Sequence, residues 1–188
     1  MYIIHRVSYS EWRSWLQETA STLLRLSLSV RFGHDEAAVE GVRMPALEVL
    51  DIFEKIQQAT VFTTIIAPCA KFVTLASSQP IPRSACQIAG LEQSYPQVLK
   101  LSLRGNVGSD VLRIFSTISV LAFITGTAEL PLVLNSLADR EDFPTLLPRL
   151  AMILGPPEKE TEVREFLAAR SAAGMLVPMY RDIAMYEG

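Results

Sequence analysis

The sequence predicts an α+β domain: a small, mostly antiparallel sheet with helices packed on one face, followed by a helical C-terminal half. Three observations lead there. Leu24 to Gly33 and Val98 to Gly108 alternate apolar and polar residues and then meet glycine, the pattern of half-buried strands. Several longer stretches place apolar residues at helical spacing. Proline and glycine cut the rest of the chain into short pieces. The 188 residues divide into a core domain over 1–155 and a C-terminal helix with an apolar docking tail over 156–188.

Tyr2 to Val7 is a short β-prone run. Ser8 or Ser10 then caps a helix that starts near Glu11 and turns Trp12, Trp15, Leu16, Thr19 and Leu23 toward the core. In the first strand Leu26, Leu28, Val30 and Phe32 share one face, with Ser27, Ser29 and Arg31 opposite. A polar loop follows. Met44 to Ala59 reads as a helix with Pro45 in its first turn and Val49, Leu50, Phe53 and Ile56 as its apolar stripe. Lys71 to Ala76 reads as a strand, and the proline-rich stretch from Ser77 to Gln97 as a surface excursion.

Leu99, Leu101 and Leu103 then face one way, with Lys100, Ser102 and Arg104 opposite. A long helix is expected from Asp110 to about Thr125, with further helical pieces over 130–138 and 143–155. Glu158 to Gly174 is the clearest helix: Glu160 and Arg164 pair at i,i+4, Val163, Phe166 and Leu167 form its stripe, and Gly174 ends it. A last short helix is expected from Pro178, with Met179, Ile183 and Tyr186 on one face. Each alternating strand leads through glycine to an apolar segment, but the spacings differ, and periodicity alone does not support a repeat.

Composition narrows the function. The chain is 49% apolar with a mean hydropathy of +0.26, so either its core is large or apolar surface is kept for a partner. A net charge of −3 gives no case for nucleic acid. The two cysteines, Cys69 and Cys86, form no ligand motif and suit buried thiols in a reducing compartment, hence a cytoplasmic protein. The N-terminal residues lack the pattern of a secretion signal. The apolar run Ile114 to Ala128, as a helix, spans about 22 Å against a hydrocarbon layer of about 30 Å, so it reads as buried; a membrane-associated segment is the weaker alternative.

Chemistry-bearing residues are few. The Gly105–Asp110 turn, with Gly105, Gly108 and Ser109, is a candidate small-ligand or nucleotide site, because glycines at a strand-to-helix turn expose backbone N–H groups. It lacks the Walker lysine, and Asp110 repels an anion; the simpler role is a turn capped by Ser109 or Asp110. His34, Asp35 and Glu36 are adjacent and match no metal-ligand spacing. His5 and His34 are the only histidines, and neither sits in a triad signature. No cofactor, metal or catalytic residue is assigned. Charge is uneven: residues 34–58 hold six acids against Arg43 and Lys55, whereas 71–113 hold five bases against Glu92 and Asp110. Such segments attract within a fold or between copies.

The order of a strand, the acidic-glycine stretch FGHDEAAVEGVRMP, a helix with Gln57 and Gln58, and a strand running into GNVGSD resembles uncharacterised bacterial conflict and defence-system adaptor modules over residues 24–126. The resemblance implies an adaptor or assembly role and carries over no catalytic residue. The expected function is therefore a non-enzymatic protein–protein assembly or adaptor subunit, as in a bacterial defence or viral assembly, with a protein partner or a second copy as ligand. The apolar tail is expected to dock either on its own core or on a neighbouring subunit; in the second case Met175, Met179, Tyr180, Ile183 and Tyr186 form the interface, since methionine and tyrosine are favoured contact residues.

Overall fold

The computed structural model describes residues 2–3, 8–29, 41–54, 64–77, 91–105, 107, 110–124, 134 and 146–186. Its strands are β1 (Tyr2–Ile3), β2 (Arg25–Leu28), β3 (Val42–Arg43), β4 (Val49–Glu54), β5 (Ile65–Ile66), β6 (Phe72–Ser77), β7 (Lys100–Gly105), β8 (Val120–Phe123), β9 (Met152–Gly155) and β10 (Met179–Asp182). Two helices are described, α1 (Tyr9–Thr19) and α2 (Glu160–Ala172), with short 3-10 turns between strands.

Eight strands form one sheet in the order β1-β2-β4-β6-β7-β8-β9-β10, and every neighbouring pair is parallel. Apart from β3 and β5, which pair with each other in a small parallel ladder, each strand lies beside its successor in the chain. Parallel neighbours need a crossover, so the chain winds as a solenoid, one main strand per turn. The register is constant: Arg25, Val49, Phe72, Lys100, Val120, Met152 and Met179 stand in one row. The turns are unequal, from 20 residues between Lys100 and Val120 to 32 between Val120 and Met152.

A fixed frame recurs around that row. Taking the row as position 0, position +1 is Leu26, Leu50, Val73, Leu101, Leu121 and Ile153, all at most 1% exposed. Position −2 is Leu47, Ala70, Val98, Ile118 and Leu150, and position −5 is Met44, Ala67, Tyr95, Phe115 and Leu147; all are fully buried. Position +3 adds Leu28, Ile52, Leu75, Leu103 and Phe123. No turn buries these four residues alone; stacking makes them four continuous columns, each large side chain contributing about 1.5–3 kcal/mol of burial. Hydrogen bonds repeat with the frame. The N–H at −2 donates to the carbonyl at −5 in Leu47→Met44, Ala70→Ala67, Ile118→Phe115 and Leu150→Leu147. The entry to each strand is tied to the previous one at 2.9 Å, from Glu48 N–H to Leu24 through to Met179 N–H to Ala151.

This corrects the expected fold class. The sheet is neither small nor mostly antiparallel, and the described residues of the C-terminal half contribute β8, β9 and β10 to it beside α2. Of the helix expected over Met44–Ala59, residues 44–54 are instead a turn followed by β4, and 55–59 lie outside the described residues. The expected long helix from Asp110 is a 3-10 turn over Asp110–Arg113 followed by β8, and the expected helical piece ending at Gly155 is a turn and β9. The tail enters the sheet as β10 before a 3-10 turn over Ile183–Met185, so no helix starts at Pro178. The constant register also makes the two alternating segments turns of one structural repeat. Two helices match expectation. Ser8 caps α1 with a capping box to Glu11, and Trp12 and Leu16 are buried beneath it. In α2, Arg164 meets Glu160 at 3.3 Å, and Gly174 beyond its end adopts φ +69°. Residues of the apolar run such as Phe115, Ile118 and Leu121 are buried, though not as a helix. Among the described residues, no helix is long and apolar enough to cross a membrane.

Tyr95 links the columns to the small ladder. Its ring lies 5.4 Å from that of Phe115, and its hydroxyl donates to the Ile65 carbonyl at 2.8 Å. Burial pushes its phenol pKa up from the usual value. Tyr180, half-buried on β10 with its hydroxyl donating to the Pro156 carbonyl, is pushed up to about 12 by burial and then by the charges of Glu158, Glu160, Asp182 and Glu162. A phenol whose folded pKa exceeds its unfolded one favours folding fully below the unfolded value, about 10, and loses that contribution as pH rises through the folded value. Stability is therefore expected to fall between about pH 10 and 12, and Tyr180→Phe should make that decline shallower. Urea titrations at pH 8 and pH 11 check this; equal declines in both proteins would remove Tyr180 as the cause. Tyr95→Phe should cost about 1–2 kcal/mol at neutral pH, because the buried Ile65 carbonyl loses its phenol donor.

Candidate functional site: the open face of the sheet

Side chains alternate across a strand, so positions 0, +2 and +4 face away from the four columns. The burial pattern of β6 shows it: Val73, Leu75 and Ser77 are buried while Phe72 is 46% exposed and Thr74 and Ala76 are half-buried. This outward face, the open face, runs over every turn from β2 to β10 because the register never slips; along its middle Ser27, Asp51, Ser102, Ala122 and Leu154 at +2 are buried, and its exposed side chains include Arg25, Phe53, Phe72, Arg104 and Met179.

Its composition changes along the solenoid. Toward β2 it is polar. Asp51 at +2 on β4 is only 6% exposed, and its carboxylate accepts from Arg25 Nη2 and Ser27 Oγ, both at 2.9 Å. Thr74 and Ser102 continue that column on β6 and β7. Phe72 at position 0 and Phe53 at +4, 46% and 37% exposed, stand on either side of it. Toward β10 the face is apolar. Ala122, Leu154 and Ile183 form a second buried cluster, separate from the columns, with Val120, Ile124 and Met152 packed against it. Between the two halves lies β7, which presents Lys100 at 0, Ser102 at +2 and Arg104 at +4. Lys100 is half-buried between Phe72 and Val120 in the register row, and Arg104 is exposed. Among the described residues, neither has an acidic partner.

The expected interface residues are distributed around one end of this surface. Met179 is 52% exposed at position 0 of β10, and Arg181 Nη2 lies 3.9 Å from its sulfur. Ile183 is 6% exposed in the second cluster, Tyr186 is 49% exposed, and Met175 and Tyr180 pack half-buried against the main core. Leu176 and Val177, at 55% and 45%, are exposed beside them.

Gly105 ends β7 at φ +74°, where a Cβ would collide with the Ser77 carbonyl oxygen on the neighbouring turn. Its lack of a side chain is thus already used in stacking turn on turn. Gly108 and Ser109 lie outside the described residues, as do His5, His34, Asp35, Glu36 and Cys86; Cys69 is a half-buried free thiol. Among the described residues, no group of three or more potential metal ligands comes together.

Sequence reasoning missed the open face as a surface. Lys100 and Arg104 were legible as one face of a single strand, and Phe72 only as part of a strand; only a shared register places them in one field. No family model matches the chain, and no curated protein or solved structure matches it.

Proposed function

We propose that this chain is a protein-binding module, an adaptor or assembly subunit whose binding surface is the open sheet face. The observation that carries the reading is that face itself. It runs in register over seven strands from β2 to β10 and carries exposed Phe53, Phe72 and Met179 beside Lys100 and Arg104, which have no acidic partner among the described residues. Exposed aromatic and methionine side chains with adjacent cations are the composition of contact surfaces. The inward columns at −2, +1 and +3 are spaced as in leucine-rich repeats, in which stacked turns present an extended binding surface; this is a likeness of architecture.

Site-specific photo-crosslinking in cells tests it. A photoreactive residue at Phe72 or Val120 should give discrete protein adducts, and one at Ser171, exposed on α2, should not. Equal adduct patterns from both faces, or none from the open face, would overturn the reading.

A second reading rests on the exposed Leu176, Val177, Met179 and Tyr186 at the β10 end. β10 is the edge strand of the described sheet, and exposed apolar side chains beside it favour self-association there. Light scattering should then show a discrete multimer that Val177→Lys and Met179→Lys together convert to monomer. A monomeric parent protein at high concentration would exclude it.

A further inference from the structure

We infer that the open face takes an acidic segment of a partner protein that also carries large apolar side chains, seated across β7 with its carboxylates on Lys100 and Arg104. The inference deepens the protein-binding reading and rests on it. Charge separation is the first observation. The chain carries a net charge of −3, yet the described positions of the open face hold four cations, Arg25, Lys100, Arg104 and Arg181, against the single carboxylate of Asp51. That carboxylate is already engaged by Arg25 and Ser27. Among the described residues, the face is therefore net positive in a chain that is net negative. Such an arrangement steers an acidic partner to this surface and repels a basic one.

Placement is the second observation. Lys100 and Arg104 share one strand and one face, four residues apart, so their Cα atoms are about 13 Å apart at about 3.3 Å per residue. A partner in extended conformation repeats at the same pitch, so carboxylates four residues apart on it match the two cations. Lys100 is half-buried with Phe72 and Val120 on either side in its row. A carboxylate that reaches it leaves water at the same time as its neighbours meet apolar surface. Phe72 and Phe53 flank the cations toward β2, and Val120, Ile124 and Met152 flank them toward β10. A uniformly anionic ligand, such as a nucleic acid backbone or a lipid headgroup layer, satisfies the cations but leaves both apolar flanks uncovered. An acidic segment with leucine or phenylalanine beside its glutamates covers both.

Fluorescence anisotropy on the full chain tests this with three labelled probes: a glutamate- and leucine-containing dodecapeptide, the same peptide with lysine for glutamate, and a glutamate–serine peptide of equal charge. The first should bind saturably and weaken as salt rises from about 0.05 to 0.5 M; the lysine peptide should not bind. Lys100→Glu with Arg104→Glu should weaken the first probe by about tenfold or more. Phe72→Ser should weaken it while leaving the salt dependence intact. Lys100→Gln with Arg104→Gln, which removes charge without adding any, gives the same readout should the reversed variant fail to fold, and the urea midpoint verifies folding in each case. Unchanged affinity in the charge variants would overturn the inference. So would equal binding of the glutamate–serine peptide, or displacement of the first probe by oligothymidylate or phosphatidylserine vesicles at lower concentration than by its own unlabelled form. Protein adducts at Phe72 without binding of the acidic probe would leave the module reading standing and remove this one; absent adducts would remove the reading beneath it.

Discussion

Gly105→Ala is expected to lower the unfolding free energy by about 3 kcal/mol, while Gly174→Ala costs about 1 kcal/mol. Both glycines sit at positive φ, +74° and +69°, so both substitutions force an L-residue into the left-handed region. They differ in surroundings. A Cβ on Gly174 meets nothing within 4 Å. A Cβ on Gly105 runs into the Ser77 carbonyl oxygen, with the carbonyl carbon behind it at 3.1 Å. Gly105 and Ser77 are register partners at the end of β6 and β7, so neither backbone can yield without parting the strands there. Overpacking of that kind costs about 1–3 kcal/mol beyond the conformational term. Urea unfolding of the two variants, with unchanged m-values, reads the difference directly. Equal losses at the two positions would show that the stacked turns have slack at this point. The comparison also bears on the Gly105–Asp110 turn as a ligand site: a Gly105→Ala loss measured without any ligand belongs to the stacking of turns.

The same frame explains which parts of this fold were legible in the sequence. β2, β6 and β7 were, because Leu26 and Leu28, Val73 and Leu75, and Leu101 and Leu103 alternate with polar or small residues. β4, β8 and β9 were not. Met44, Leu47 and Leu50 are three residues apart, as are Phe115, Ile118 and Leu121, and Leu147, Leu150 and Ile153. That spacing is the signature of one helix face. Here it arises from a turn with a hydrogen bond from −2 to −5 running into the first inward residue of a strand. Only the closing step of two, Leu50 to Ile52 or Leu121 to Phe123, distinguishes the two cases. On β8 even that is masked, since Ala122 on the open face is also buried and the strand reads as an unbroken apolar run. The repeat was hidden for a related reason. Its columns accept Met, Ala, Tyr, Phe and Leu at −5 alike, and its turns vary from 20 to 32 residues, so neither identity nor period recurs. What recurs is the relation among −5, −2, +1 and +3, which becomes visible only when the row at position 0 is known. The open face depends on that row too, which is why its residues were legible singly and their union was not.

Arg170→Met is expected to destabilise the C-terminal turns by about 3 kcal/mol, with Arg170→Lys recovering less than half of the loss. Arg170 lies on the buried side of α2 with Val163 and Phe166 and is fully buried. Its guanidinium is 5.8 Å from the centre of the Phe166 ring. Nε donates to the Leu176 carbonyl at 2.9 Å, Nη1 to Leu146 at 3.3 Å and Nη2 to Leu147 at 3.2 Å. Burial draws its pKa down from the usual value, and the three carbonyls supply the compensating hydrogen bonds. The partners come from different places. Leu146 and Leu147 belong to the turn that precedes β9, where Leu147 itself takes φ +51°, an unfavourable conformation for a leucine. Leu176 belongs to the segment that delivers β10. One side chain thus holds a strained turn, the returning helix and the approach to the last strand in fixed relation. Methionine fills much of the volume but donates nothing, so the carbonyls of Leu146 and Leu147 lose their donor in the interior, at about 1–3 kcal/mol for each group left unsatisfied. Lysine keeps the charge but presents a single ammonium in place of a planar fork and cannot reach all three oxygens. Hydrogen exchange locates the damage: in Arg170→Met, protection should fall first at the Met179 N–H, which bonds Ala151, while the Lys71 N–H bonded to Glu48 keeps its protection. Uniform loss of protection along the whole sheet would mean that the solenoid unfolds as one unit and that Arg170 supports all of it.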